Sequence, residues 1–342
     1  MRLLFIGGSN CVIKNGIADC IPKHLEFFGY NIEKTYNLSI GATTSLFGLE
    51  NFNLSNIKDI DIVFIEYGIN DYPLFLNDQK LWRYAYGELL RKVRDRYPNS
   101  IVISILLGRR QKEFWGKQKL IHDNMIDICK ETGVLCVDVD RELKSISPSN
   151  AEFESLYNDE THFKSRAVEY ISRLVASRYS LLYKDFLNND INDVGDINFC
   201  QYSPGGKVSV FENSKLTRKT TFIEKNNSVE LKVKGIPVAL SFVMCHDSSS
   251  LLIETQFGNK IISTKNKSIS EGKFPFLVKQ IPLYGFFNNN HGINIYHDIK
   301  ITAIDSNSHR WSDDLYQKSY GMLDDVDHSK GVYLSNVSTV QI

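Results

Sequence analysis

Arg2-Leu-Leu-Phe-Ile-Gly-Gly-Ser-Asn10 is a short apolar run that stops at two glycines and a serine. Its length and apolar continuity read as a buried strand, and the glycines as the tight turn that ends it. The same grammar recurs downstream. Lys14 to Phe28 carries Ile17, Ile21, Leu25 and Phe28 at helical spacing and stops at Gly29. Tyr30 to Asn37 is a second strand, and Asp61-Ile-Val-Phe-Ile-Glu66 a third that again runs into a glycine, Gly68. Lys80 to Arg96 is an amphipathic helix ending before Pro98, and Ile101-Val-Ile-Ser-Ile-Leu-Leu107 is a fourth strand. Lys117 to Glu131 is a helix stopped by Gly133, Val134 to Val139 a fifth strand, and Arg166 to Leu187 a long closing helix.

Strands alternating with helices predict a parallel sheet covered on both faces. Five such strands suit a flavodoxin-like doubly wound sheet, an α/β/α three-layer arrangement whose ligands sit outside the carboxyl ends of the strands. Residues 188–199 are polar and rich in turn formers, which marks a boundary. Beyond it the period changes to two. Lys207 to Phe211, Ser228 to Val233 and Val238 to Val243 alternate as strands, and Leu251 to Thr264 reads as a hairpin turning near Gly258-Asn259. Ile293 to Ile304 and Gly331 to Ile342 continue the pattern. The expected organisation is an α/β domain over 1–187, a linker over 188–199 and an all-β sandwich or jelly roll over 200–342.

Composition narrows the function classes. The 342 residues are 42% hydrophobic and 23% charged, with 40 basic and 40 acidic side chains. That balance gives no reason to expect a nucleic-acid or membrane partner. No apolar stretch is long enough to span a bilayer, and Met1 to Ser9 is too short for a secretory leader, so cytoplasmic residence is expected. The six cysteines form no CxxC pair, and no HExxH motif is present, so no disulfide framework, metal site or cofactor is expected. The phosphate-loop patterns GxGxxG and GxxxxGK[ST] are absent as well.

Chemistry concentrates in a few polar stretches that follow the strands. Ser9, after two glycines, would project its hydroxyl at the sheet edge, but it needs a base to become a nucleophile. Asn158-Asp-Glu-Thr-His162 supplies a histidine with an acidic group three residues earlier, able to fix its tautomer and stabilise the imidazolium. Ser39-Ile-Gly41 and Gly68-Ile-Asn-Asp71 offer a backbone N–H with close access and a side-chain amide, both suited to an oxyanion. Each stretch alone reads more readily as an ordinary turn or cap. Their combination, in the order Ser9, Gly41, Asn70, His162 along one predicted sheet edge, carries the weight.

Taken together, Phe5-Ile-Gly-Gly-Ser9, Asn37-Leu-Ser-Ile-Gly41, Gly68-Ile-Asn-Asp71 and Asp159-Glu-Thr-His162 resemble the four blocks of the SGNH/GDSL hydrolase superfamily, over roughly residues 1–187. The resemblance implies Ser9 as nucleophile, His162 as base and Asp159 as its orienting partner. It also implies an oxyanion hole from the Ser9 and Gly41 N–H groups and the Asn70 side chain. One departure stands out: the family has Asp before the serine, and this chain has Gly8. The G-x-S-x-G elbow of α/β-hydrolases is absent.

The implied activity is hydrolysis of an ester through an acyl-enzyme on Ser9. An O-acetylated carbohydrate is the favoured substrate, by fold-level analogy. A carbohydrate O-acetyltransferase using the same residues and a catalytically inactive glycan- or protein-binding protein are the alternatives. Gly108-Arg-Arg-Gln-Lys-Glu-Phe-Trp115 follows the fourth strand, so Arg109, Arg110 and Trp115 are candidates to hold an anionic or sugar group. A solvated charged loop is the plainer and preferred account of them. Tyr72 reads as a pocket residue or equally as a surface tyrosine. His246, His291, His297, His309 and His328 are assigned ordinary surface or hydrogen-bonding roles.

Overall fold

Five parallel strands hydrogen-bond in the order β2-β1-β3-β4-β5, the flavodoxin-like order that the strand and helix alternation predicts. The computed structural model describes residues 1–186, 198–213, 216–264, 266–286, 295–304 and 329–341. The strands are β1 (Arg2–Gly7), β2 (Lys34–Asn37), β3 (Ile62–Glu66), β4 (Ile101–Leu106) and β5 (Leu135–Asp138). The helices are α1 (Ile17–Phe27), α2 (Ser45–Leu54), α3 (Tyr72–Asn77), α4 (Gln79–Arg96), α5 (Trp115–Glu131), α6 (Val139–Ile146), α7 (Asn150–Glu154) and α8 (Ser165–Phe186).

The sheet is apolar on both faces because helices cover both. Leu3 and Phe5 of β1 and Ile62 and Phe64 of β3 share a core with Ile17, Ile21 and Leu25 of α1 and Ile171 and Val175 of α8. Phe5 and Phe64 stack with ring centroids 4.7 Å apart. The alternate residues Leu4, Ile6, Val63 and Ile65 are buried as well. Full burial of each such aliphatic side chain contributes about 1.5–3 kcal/mol relative to exposure.

The second strand is shorter than its apolar pattern predicts. Gly29 takes φ +90 and Tyr30 still donates to the Leu25 carbonyl, so the chain is closing α1 where a strand was expected. α2 was not foreseen, and its burial explains why. Every residue from Ser45 to Phe52 is buried, so no polar face gives the helix an amphipathic stripe. It also contains Gly48. A Cβ there would stand 2.4 Å from the hydroxyl and 2.7 Å from a ring carbon of Tyr67, itself fully buried.

The chain divides into two compact units, Met1–Phe75 with Trp82–Val194, and Leu76–Leu81 with Gly195–Ile342. Of the expected linker, residues 188–197 lie outside the described residues, and Asn198 and Phe199 begin a strand. The second unit holds two antiparallel sheets. One contains β6 (Asn198–Tyr202), β7 (Val208–Glu212), β8 (Thr217–Glu224), β10 (Ile236–Met244), β13 (Leu277–Pro282) and β15 (Gly331–Gln341). The other contains β9 (Ser228–Lys234), β11 (Ser250–Thr255), β12 (Gly258–Ile262) and β14 (Tyr296–Ile304). Leu240, Phe242, Val332 and Leu334 from the first and Val233, Leu251, Ile299 and Ile301 from the second share one core, as in a sandwich.

The expected hairpin is β11–β12. Thr255 pairs with Gly258, so it turns at Gln256-Phe257, just before the predicted place. His291, His309 and His328 lie outside the described residues. His246 is exposed, and His297 is buried with its ring 5.0 Å from Phe257. Among the described residues no helix is long and apolar enough to cross a membrane.

Gly48→Ala tests the tight seat of α2. The added methyl gains about 1 kcal/mol of helix propensity and costs about 1–3 kcal/mol of overpacking against a ring that has nowhere to go. A lower thermal midpoint is expected, and Tyr67→Phe in the same chain should recover part of the loss by removing the nearest atom.

Candidate active site

The turn that carries the serine is fastened on both sides as it leaves β1. The Gly7 carbonyl accepts the Ile40 N–H at 3.0 Å, and the Gly8 N–H donates to the Glu66 carbonyl at 3.1 Å. Ser9–Cys11 then forms a single tight helical turn. The Ser9 carbonyl accepts the N–H groups of Val12 and Ile13, and the Asn37 side chain donates to the Cys11 carbonyl at 2.7 Å. The hydroxyl so placed lies 2.7 Å from Nε2 of His162. Nδ1 of that ring is 2.7 Å from Oδ2 of Asp159. The other carboxylate oxygen, Oδ1, accepts the backbone N–H groups of Thr161 at 2.8 Å and His162 at 2.9 Å. Partial burial alone would raise the Asp159 pKa, but these N–H groups and the His162 ring outweigh it and hold the carboxyl below its usual range. An ionised Asp159 can only accept, so the imidazole proton belongs on Nδ1. Nε2 is then left to take the Ser9 proton.

Two further predicted residues converge on this turn. A Cβ on Gly41 would lie 3.6 Å from the Ser9 Cβ, so its backbone stands against the serine. The loop is held by Asn51 on the Leu38 carbonyl at 2.8 Å and by the Thr43 hydroxyl on the Ile40 carbonyl at 2.7 Å. Ala42, next in the chain, has φ 55, a left-handed conformation that costs a non-glycine residue energy. The Asn70 amide donates to the Thr43 carbonyl at 3.0 Å. It also stands 2.1 Å from where a Cβ on Gly8 would be. Position 8 therefore calls for glycine in this chain: the space a side chain would take there is filled by Asn70.

Beneath the surface two carboxyls are fully buried. Asp71 accepts the Ser45 N–H at 2.7 Å and the Trp82 indole N–H at 3.0 Å. It thereby caps α2, whose own Thr44 supplies no side-chain cap. Burial pushes Asp71 up to about 7 against those bonds, and burial together with the Asp71 charge pushes Glu66 up to about 8.

No family model matches this sequence, and no curated protein does. Solved structures do match. A two-domain esterase (CEX) active on acetylated mannans superposes with a TM-score of 0.65 at 14% identity, covering 100% of this chain and 91% of that one. The same esterase co-crystallised with mannopentaose gives a TM-score of 0.65 at 14% identity, covering 100% of this chain and 90% of that one. The chain therefore shares the fold of that two-domain esterase, an α/β unit of five parallel strands followed in the chain by an antiparallel β-sandwich unit.

The segment after β4 ties two of these turns together. The Arg109 guanidinium donates to the Ile69 carbonyl at 3.3 Å and lies 4.9 Å from the Tyr72 ring and 5.3 Å from Phe114. Tyr72 is buried, edge-on to Phe114 at 5.5 Å; the surface-tyrosine alternative is thereby set aside. Arg110 reaches the histidine loop through its backbone, donating to the Glu160 carbonyl at 3.0 Å, while its side chain is exposed. Trp115 turns elsewhere. Its indole donates to the Arg109 carbonyl at 3.0 Å, and its ring packs on Phe153 at 5.2 Å beneath the Lys144 ammonium at 4.6 Å.

Sequence reasoning missed three supporting side chains. Asn10 is buried and donates to the Thr161 carbonyl at 3.1 Å. Gln118 donates to the Gly68 carbonyl at 2.7 Å and lies 2.9 Å from Nε2 of His122. His122 in turn sits 3.2 Å from the Leu107 carbonyl. Helical spacing could place Gln118 and His122 on one face of α5, and nothing in the sequence points them at Gly68. Among the described residues no group of His, Cys, Asp or Glu is arranged to hold a metal ion.

Two outcomes are expected. Gly8→Ala should push the Asn70 amide off the Thr43 carbonyl and cost about 1–3 kcal/mol of stability, read as a lower thermal midpoint in a protein still folded by circular dichroism. Glu66 has a folded value of about 8, above its ordinary 4.5. The folded state therefore binds the extra proton between those values, and stability falls as pH rises through that window. Glu66→Gln should flatten that fall, gaining on the wild type in thermal midpoint between about pH 5 and pH 8. Asp71 contributes a residual slope of the same sign.

Proposed function

We propose that this protein is a serine-dependent ester hydrolase that removes O-acetyl groups from a carbohydrate. The observation that carries the reading is the continuous relay from the Ser9 hydroxyl to Nε2 of His162, 2.7 Å, and from Nδ1 to Asp159, 2.7 Å. Side chains 153 positions apart meet there, beside the turns that carry Gly41 and Asn70. The fold shared with an esterase active on acetylated mannans supports an acetylated saccharide as the substrate class.

Ser9 attacks the acetyl carbonyl carbon as its proton passes to Nε2 of His162. Asp159 stays ionised and stabilises the imidazolium. The tetrahedral oxyanion is met by the N–H groups of Ser9 and Gly41 and by the Asn70 amide. Collapse breaks the bond to the sugar oxygen, which takes the proton from His162 and leaves as the free hydroxyl. Water then attacks the acyl-enzyme, gives its proton to His162, and acetate departs as that proton returns to Ser9.

The test is release of acetate from acetylated manno-oligosaccharides and turnover of 4-nitrophenyl acetate, together with labelling of the folded protein by a fluorophosphonate. Wild type should label at Ser9 and turn over both esters. Ser9→Ala should do neither, and Asn70→Ala should lose on the order of 100- to 1,000-fold in kcat. Undiminished turnover in Ser9→Ala would end the proposal.

A further inference from the structure

The peptide unit between Thr161 and His162 is held at both ends. Its N–H, on His162, donates to Oδ1 of Asp159 at 2.9 Å. Its carbonyl, on Thr161, accepts from Nδ2 of Asn10 at 3.1 Å. Asn10 follows Ser9 directly and is 3% exposed. A buried amide donor with a backbone carbonyl partner is a fixed strut, since losing the partner strands a polar group out of water. The serine turn and the histidine loop are thus joined twice, once through the hydroxyl and imidazole and once through Asn10.

The two links differ in what the reaction demands of them. The Ser9–His162 bond breaks when the proton moves and again when the imidazolium turns its proton to the leaving oxygen. The Asn10 bond involves no reacting atom and persists throughout. The rest of the loop is anchored away from the serine turn. The Tyr157 hydroxyl donates to the Gly108 carbonyl at 3.1 Å, the Arg110 N–H binds the Glu160 carbonyl, and Tyr157 bridges Phe163 across the loop base. Asn10 supplies the tie from the nucleophile's own turn to the residue preceding the base.

We infer that Asn10 is a positioning residue for His162, keeping the imidazole in register with Ser9 while their direct hydrogen bond is broken. This rests on the reading of Ser9 and His162 as nucleophile and base. The role is exerted through His162 alone, which gives it a signature that general destabilisation lacks.

The experiment is a double-mutant cycle on 4-nitrophenyl acetate with full-length protein. With His162 present, Asn10→Ala and the near-isosteric Asn10→Asp should each lower kcat about 10- to 100-fold, the scale of a small misplacement of a reacting group, with KM within about twofold. In the His162→Ala background, Asn10→Ala should change the residual rate by less than about twofold, because the group it positions is gone. Equal losses in both backgrounds would assign Asn10 to the fold alone and overturn the inference, as would full activity of both Asn10 variants beside an intact His162. Failure of the underlying reading looks different: His162→Ala would itself leave the wild-type rate in place.

Discussion

Where β1 ends, the single peptide group between Gly7 and Gly8 is bonded to neighbours on opposite sides. The Gly7 carbonyl faces the chain following β2, and the Gly8 N–H faces β3. A central strand of a parallel sheet can be held this way only while both flanks remain in register. The residue that follows therefore leaves the sheet in a fixed direction. The other elements of the site are arranged around that exit. The chain after β2 brings Gly41 against Ser9, the chain after β3 brings Asn70 against Gly8, and the segment after β4 binds the loop that carries His162. A shift of one strand would move every one of these turns relative to the serine.

The carboxyls near this edge divide by environment. Asp159 is 55% exposed and keeps its charge through two backbone N–H groups and the imidazole. Glu66 and Asp71 are buried, and their pKa values rise toward neutrality. The carboxyl group thus takes two forms here: an anion beside the imidazole, and weakly acidic polar groups where the packing is dry. Asp71 has a further task, since its capping of α2 couples the Asn70 turn to the helix beneath Gly41.

Much of this was legible in the sequence. Apolar runs ending in glycine located β1 and β3, and helical spacing located α1, α4, α5 and α8. The polar blocks containing Ser9, Gly41 and Asn70 follow β1, β2 and β3, and the loop of His162 precedes α8, as the alternation of strands and helices indicates. What stayed hidden was buried on all sides or acted across long sequence separations. α2 has no polar face to betray it. β8, with Arg218, Lys219 and three threonines, carries little of the apolar alternation that marks a strand. Asn10 and Gln118 are ordinary polar residues whose partners lie 151 and 50 positions away. Trp115 opens α5 with its ring packed against Phe153 and Lys144, partners that lie 38 and 29 positions away and that its place after β4 does not announce.

The bare backbone at position 8 couples two turns that are distant in the chain. Any side chain there and the present seat of the Asn70 amide exclude each other. Neither position can therefore change by itself without disturbing the other: enlarging residue 8 dislodges the amide, and shrinking residue 70 leaves a hole beside the glycine. The pair behaves as one composite part, spread over two strand ends.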